Sequence, residues 1–302
     1  MRKLSSWLWL SAALLIAAAG NSGRAAAPDN GKPDYPTTEF AEGAKSATVT
    51  AGDVTATVSL VRGAKPDPDK DAVVLKVTVA GRPVAEAKAV DAGSDAPEAE
   101  ASIAEIDPTN KRPEVYFTAY SGGAHCCSTV IVATEVGDKW QTVQVGEFDG
   151  GGDYLEDING DGIAEIVTVD NRFLYTFDCY ACSAAPLKIY TVRAGTVIDV
   201  SADSRFLPAH RDWLAQIEDT VDPKERWKSP GFLAGWVAAK ISVGEGAAAW
   251  KELNARWNFA KDAGEEVCPN GDDPDKCAKK LRKVMKFPER LKLFLDQNGY
   301  KF

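Results

Sequence analysis

The sequence predicts an α+β protein in two parts. An antiparallel β-repeat region of partial, propeller-like build covers residues 46–203, and an all-α region covers 205–302. Three observations carry this expectation. Apolar residues alternate with period two from Ser46 onwards, a unit of about 50–57 residues recurs across 103–200, and beyond Phe206 the spacing becomes helical.

In chain order, Arg2 and Lys3 precede an apolar run from Trp7 to Gly20, and small residues up to Ala27 offer cleavage points. Residues 1–27 are therefore expected to be a secretory signal peptide, because the apolar core is shorter than the ~20 residues a membrane span needs. Residues 28–45, rich in Pro, Asp, Gly and Thr, read as a mobile leader. Thr48–Thr50, Val54–Val61 and Val73–Val79 read as strands, Gly81-Arg82-Pro83 as a tight turn, and 63–71 and 91–101 as loops.

The repeat comes next. The run from Glu105 to Thr118 parallels that from Glu156 to Thr168, with Asp107 answering to Asp157 and Glu114 to Glu165. Beyond each loop the order recurs as strand, cysteine pair, strand, then a turn at Gly137 or Gly195. Two clear units, with a third if 46–90 is counted, are too few to close a propeller of 4–8 blades. A partial or atypical assembly of antiparallel sheets is expected.

The helical part starts with 208–218, with Pro208 in its first turn, followed by the apolar segment 231–241. Trp250, Leu253 and Trp257 fall at i, i+3 and i+7, and are expected to be core residues. Cys277, Leu281 and Met285 fall at i, i+4 and i+8, and a last helix holding Leu291, Phe294 and Leu295 should end at Asn298-Gly299.

Composition narrows the function. With 45% hydrophobic and 26% charged residues the chain is globular rather than disordered. Its formal charge of −9 becomes about −12 once Arg2, Lys3 and Arg24 leave with the leader, which argues against nucleic-acid binding. The C-terminal segment reverses this balance. Nine Lys or Arg between 276 and 301 face Asp275, Glu289 and Asp296, so 276–301 reads as a solvated face with a weak contact to an anionic surface as the functional alternative. No stretch after the leader is long and apolar enough to cross a bilayer.

The central loop carries the chemistry. Asp157, Asn159 and Asp161 each place a side-chain oxygen at alternate positions, the Ile163 carbonyl adds a backbone oxygen, and Glu165 can bind directly or through water. Gly160 and Gly162 allow the tight wrap. Flexible oxygen ligation selects Ca²⁺ over zinc or copper, with Mg²⁺ the weaker competitor. An EF-hand is excluded, because Thr168 stands at the twelfth place and a β-type run follows. In the first copy Lys111 and Arg112 stand where a carboxylate and a glycine belong, so one structural calcium site is expected.

The form Asp-x-Asn-Gly-Asp-Gly-x-x-Glu-Ile leading into a strand resembles the FG-GAP/VCBS calcium-binding repeats of exported and cell-surface proteins. The resemblance is specific over about ten residues, loose over 103–200, and does not reach the helical C-terminus. It implies a calcium-bound loop at the start of a blade strand.

Six cysteines, Cys126, Cys127, Cys179, Cys182, Cys268 and Cys277, in an exported chain favour disulfides. The first four admit three readings: a zinc site with His125, a Cys-x-x-Cys redox pair at 179 and 182, or disulfides tying one repeat unit to the other. Adjacent cysteines suit tetrahedral zinc poorly and a redox pair belongs at a helix start, so disulfides are preferred. Cys268 and Cys277 enclose an Asp/Pro/Gly loop between two helices and should pair. His210, in a helix's first turn, is expected to be exposed. No Gly-x-Ser-x-Gly, His-Glu-x-x-His or P-loop motif is present. The expected function is a periplasmic or secreted, non-enzymatic calcium-binding protein that recognises a protein or glycan of the cell envelope. The alternative is an envelope hydrolase with its site at the β/α junction near His125.

Overall fold

Three four-stranded antiparallel meanders follow one another along the chain. The computed structural model describes residues 35–41, 43–61, 72–90, 98–121, 126–150, 152–269 and 276–302, so the expected signal peptide and His125 lie outside the described residues. The first sheet has the order β2 (Ser46–Ala51), β3 (Val54–Val61), β4 (Ala72–Val79), β5 (Arg82–Val90). The second is β6 (Glu98–Ala104), β7 (Glu114–Tyr120), β8 (Cys126–Val136), β9 (Lys139–Asp149), with β1 (Thr37–Phe40) added beside β6. The third is β10 (Leu155–Glu156), β11 (Glu165–Val169), β12 (Leu187–Arg193), β13 (Thr196–Asp199).

Side-chain alternation decides how these sheets stack. In β3, Val54, Ala56 and Val58 are buried, while Thr55 and Thr57 pair their hydroxyls across the outer face with Thr50 and Thr48 at 3.0 and 3.1 Å. The second sheet has no outer face over β7. Val115, Phe117 and Ala119 pack with the first sheet, and Tyr116 packs with the third. In β8, Ile131 and Ala133 turn one way, Val130 and Val132 the other. The middle sheet is thus sandwiched over β7 and β8, whose residues are buried on both faces. Hairpin turns at Ala80-Gly81 and Ala194-Gly195 use two successive positive φ values, as tight two-residue connections require.

The helices are α1 (Leu207–Asp219), α2 (Pro230–Ser242), α3 (Gly246–Arg256) and α4 (Phe287–Gln297). Helix α2 is apolar on every side and is buried along most of its length, from Gly231 to Ala239. Ser229 caps it by accepting from the Phe232 N–H at 3.4 Å, and Pro230 opens the first turn. Leu253 is fully buried, with Trp250 and Trp257 packed against the same core, as the helical spacing of these residues predicts. Phe173, Phe177 and Ala185, from the connection between β11 and β12, enter this helical core. The described residues, from Tyr35 to Phe302, form one compact unit. The fold is α+β with its helices towards the C-terminus, and no closed ring of blades is found among the described residues.

Several expectations are corrected. Part of the supposed mobile leader is strand β1, because Thr37–Phe40 pairs in register with Ser102–Ala99 and buries Phe40. The supposed loop 91–101 includes the start of β6, while its first seven residues lie outside the described residues. Arg82 and Pro83 belong to β5 rather than to the turn. The spacing Cys277, Leu281, Met285 does not make a helix. The segment forms a short 3₁₀ turn and then β15 (Lys283–Met285), which pairs with β14 (Glu265–Val267). A ladder and a disulfide to Cys268, both contacts with a distant segment, override the local periodicity.

His210 is 4% exposed, with Nε2 2.7 Å from the Ser201 carbonyl oxygen. Burial holds its pKa below the ordinary imidazole value. The prediction of an exposed histidine fails because α1 docks its first turn against the strand end at 199–201.

Candidate metal centre

The loop between β10 and β11 is wound around its own carboxylates. Asp157 accepts from the Gly160 and Asp161 N–H groups through Oδ1, at 2.8 and 3.0 Å, and from Gly162 N–H through Oδ2 at 2.7 Å. Asn159 Oδ1 accepts from Asp161 N–H at 2.9 Å, and Asp161 Oδ1 from Ile163 N–H at 3.0 Å. Gly160 and Gly162 adopt φ of 76° and 85°, which only glycine takes without strain. The predicted residues Asp157, Asn159, Asp161, Ile163 and Glu165 therefore share one compact turn.

Glu165 is the first residue of β11 and is 3% exposed. Its carboxylate accepts from Ile158 N–H at 3.3 Å. Burial first, then the nearby Asp161 and Asp157 charges, push its pKa from the ordinary 4.5 up to about 7, although Ile158 N–H and Arg205 pull the other way. The Arg205 guanidinium reaches Asp161 Oδ2 at 3.3 Å and also pairs with Asp203. Tyr35, which the sequence places in the mobile leader, brings a buried hydroxyl without a hydrogen-bond partner to this loop. Burial and then the Asp157 and Glu165 charges raise its pKa. No local signal marks Tyr35, since its place depends on where the chain enters β1.

The first copy solves the same problem differently. Glu114 also opens a strand and is also buried, but its carboxylate accepts from Ile106 N–H at 2.9 Å, Asp107 N–H at 2.8 Å, Thr134 Oγ1 at 3.0 Å and the Asn110 amide. Asp107 accepts from Thr109 and from Ala194 N–H at 2.7 Å. Burial pushes the Asp107 pKa up, yet these hydrogen bonds outweigh it and leave the group below its ordinary value. Arg112, expected to spoil a metal loop, bridges Asp53 at 3.0 Å and Glu135 at 3.1 Å and ties the first sheet to the second.

A hard cation is tested against this geometry. The donor set is oxygen throughout, and a buried carboxylate with a single backbone donor is the group a cation would neutralise. The loop carboxylates are turned to their own backbone, and Asp157, Asp161 and Glu165 do not bring three oxygens within 4.8 Å of one another. Among the described residues the group whose ligand atoms do lie that close is Asp178, Cys179 and Cys182, one carboxylate oxygen with two sulfurs bound to each other. Seating an ion therefore needs rotamer changes at the loop, with Arg205 swung aside.

The five cysteines whose side chains are described are oxidised. Cys179 pairs with Cys182 and Cys268 with Cys277, and Cys127 is also disulfide-bonded. The expectation of disulfides tying one repeat unit to the other is corrected at Cys179 and Cys182, which close on each other within one turn. The pair Cys268–Cys277 forms as expected, although a strand and a 3₁₀ turn flank it rather than two helices. The side chain of Cys126 and all of His125 lie outside the described residues.

Fold and cysteines define a disulfide-bonded α+β protein of an oxidising compartment. Residues 210–299 match the family model described as the sll0997 C-terminal domain. The chain is 38% identical over 202 residues to "Probable thylakoid lumen protein sll0997" of Synechocystis sp., covering 66% of this chain and 59% of that protein. It is 33% identical over 208 residues to "Uncharacterized protein y4bJ" of Sinorhizobium fredii, covering 67% of this chain and 32% of the relative. The chain thus spans less than two thirds of either relative. No solved structure matches it. The protein belongs to the periplasmic or secreted space, of which a lumen is the counterpart. No helix among the described residues is long and apolar enough to cross a membrane.

Proposed function

We propose that this exported protein carries one structural calcium ion in the loop Asp157–Glu165, held by Asp157, Asn159, Asp161, the Ile163 carbonyl and Glu165. The observation that carries the reading is the contrast between the two copies. Glu114 is satisfied by four protein donors, whereas Glu165, equally buried, has one backbone donor and two carboxylates beside it. The resemblance of the loop to FG-GAP/VCBS repeats supports the same ion. Calcium would neutralise the loop and fix the start of β11, so part of its binding free energy becomes folding free energy. The role is non-catalytic: the stacked, partly propeller-like sheets hold loops that recognise a protein or glycan of the envelope.

The test is thermal unfolding in EDTA against millimolar Ca²⁺. At a free concentration of 100 times Kd the ion contributes about 2.7 kcal/mol, a rise of several degrees in Tm for a chain of this size. Asp161→Ala should remove most of that rise. A wild-type Tm that does not respond to Ca²⁺ refutes the site.

A weak contact with an anionic surface is proposed for residues 276–301. Arg282 and Arg290 pair with Glu266 and Glu265, and Lys292 with Asp296. Lys279, Lys280 and Lys283 remain exposed around Leu281 and Val284, which are 48% and 67% exposed. Apolar tips ringed by lysine suit an anionic lipid interface. Co-sedimentation with vesicles of anionic lipid should exceed that with zwitterionic vesicles and fall in the Leu281→Ser, Val284→Ser double variant. Equal sedimentation with both lipids contradicts the contact.

A further inference from the structure

We propose that Cys179–Cys182 is a reversible redox disulfide, exchanging two electrons with a dithiol protein of the exported space, whereas Cys268–Cys277 is a structural cross-link. The inference is independent of the calcium reading. Both Cys179 and Cys182 are exposed, so the bond is open to an attacking thiolate, while Cys268 and Cys277 are 5% and 4% exposed. The ring sizes differ in the same sense. A bond between residues three apart restrains less of the unfolded chain than one between residues nine apart, so it adds somewhat less to stability.

The turn does not depend on its disulfide for its shape. Cys182 N–H donates to the Cys179 carbonyl at 3.0 Å, Ser183 N–H to the Tyr180 carbonyl at 3.1 Å, and Ser183 Oγ to the Cys179 carbonyl at 2.9 Å. Helix α2 holds the turn from beneath. A Cβ at Gly231 would lie 2.7 Å from Asp178 Cβ and 2.8 Å from the Cys182 carbonyl oxygen, and one at Gly235 would run into the Ala184 carbonyl. Opening the bond would leave both cysteines in place.

Two more features of the segment point to a visiting partner. Tyr175 is 61% exposed and sits at φ 63°, a conformation that costs a bulky residue energy and persists where surrounding structure enforces it. Its ring lies 5.4 Å from that of Tyr180, which is between the two cysteines in sequence and donates to Asp149. The exposed Tyr175 ring, backed by the half-buried Tyr180, thus lies beside the disulfide and offers an apolar landing for a peptide segment.

The chemistry balances. A partner thiolate attacks one sulfur, the Cys179–Cys182 bond breaks, and a mixed disulfide forms. The released sulfur takes a proton. The partner's second thiol then resolves the mixed disulfide, so the partner leaves oxidised and both cysteines are left as thiols, two electrons and two protons having moved.

The experiment equilibrates the intact protein in dithiothreitol buffers of graded reducing strength, traps thiols by alkylation and weighs the cysteine peptides. The Cys179/Cys182 peptide should be half-reduced at a dithiothreitol concentration at least tenfold below that for Cys268/Cys277, with the far-UV spectrum and thermal transition retained. Half-reduction of both pairs at one concentration overturns the assignment, as does unfolding that accompanies reduction of 179–182. A Cys179→Ser, Cys182→Ser double variant separates the two roles. A redox pair predicts a Tm within a few degrees of wild type, and a staple predicts loss of the folded transition.

Discussion

Glu165→Gln is expected to stabilise the calcium-free protein by up to about 3 kcal/mol at pH 7.5 and to remove most of its response to Ca²⁺. The carboxyl is 3% exposed and its pKa is raised from 4.5 to about 7, chiefly by burial and then by Asp161 and Asp157. A tenfold change in proton affinity corresponds to about 1.4 kcal/mol. The sign follows from proton counts. Between pH 4.5 and 7 the unfolded chain has lost this proton while the folded chain keeps it, so stability falls as pH rises through that window. Above pH 7 the full penalty is present, because the folded state must then hold a buried charge. Glutamine keeps an oxygen for the Ile158 N–H and carries no charge, so the penalty disappears. Urea unfolding in EDTA at pH 5 and 7.5 checks this, since the wild type should lose stability between the two values relative to the variant. The gain from Ca²⁺ in the wild type should be larger at pH 7.5, where the ion offsets an ionised carboxylate. Parallel pH profiles for the two proteins would show that Glu165 carries no such penalty.

Phe117→Ala should cost about 3–5 kcal/mol, the range for emptying a fully buried aromatic site. Phe117 is 0% exposed at the middle of β7 and packs with Val115, Ala119 and Ile131 against residues of the first sheet such as Val58 and Leu75. The void cannot collapse easily, because β7 is paired on both edges and packed on both faces. The urea midpoint should fall with an unchanged slope. Thr57→Ala on the outer face of the first sheet is the control, with a change within about 0.5 kcal/mol. A Phe117→Ala change as small as that would mean the first two sheets are not packed as described.

Much of this architecture was legible because its signals are local. Period-two runs place β3 and β4 almost to the residue and the centre of β2, and the glycines at 137 and 195 take the positive φ their turns require. Pro208 and Asn298-Gly299 mark the ends of the first and last helices as capping rules predict. The loop donors Asp157, Asn159, Asp161 and Glu165 share one turn because their spacing already dictates it. The misreadings share the opposite cause. Thr37–Phe40 is strand only because β6 offers a free edge. His210 is buried only because α1 lands on Ser201. Met285 pairs with Glu265, 20 residues earlier, against its own helical spacing.

The sequence by itself determined an even set of cysteines, antiparallel strands followed by helices, and an oxygen-rich loop in one intact and one altered copy. Tertiary structure decided the rest: that the second sheet is sandwiched, that Cys179 closes on Cys182, and that Glu165 lies buried with one donor where Glu114 has four. The division is physical. Periodicity, turn chemistry and ligand spacing are written within a dozen residues, whereas burial, disulfide choice and the satisfaction of a carboxylate depend on which distant segments the folded chain brings alongside.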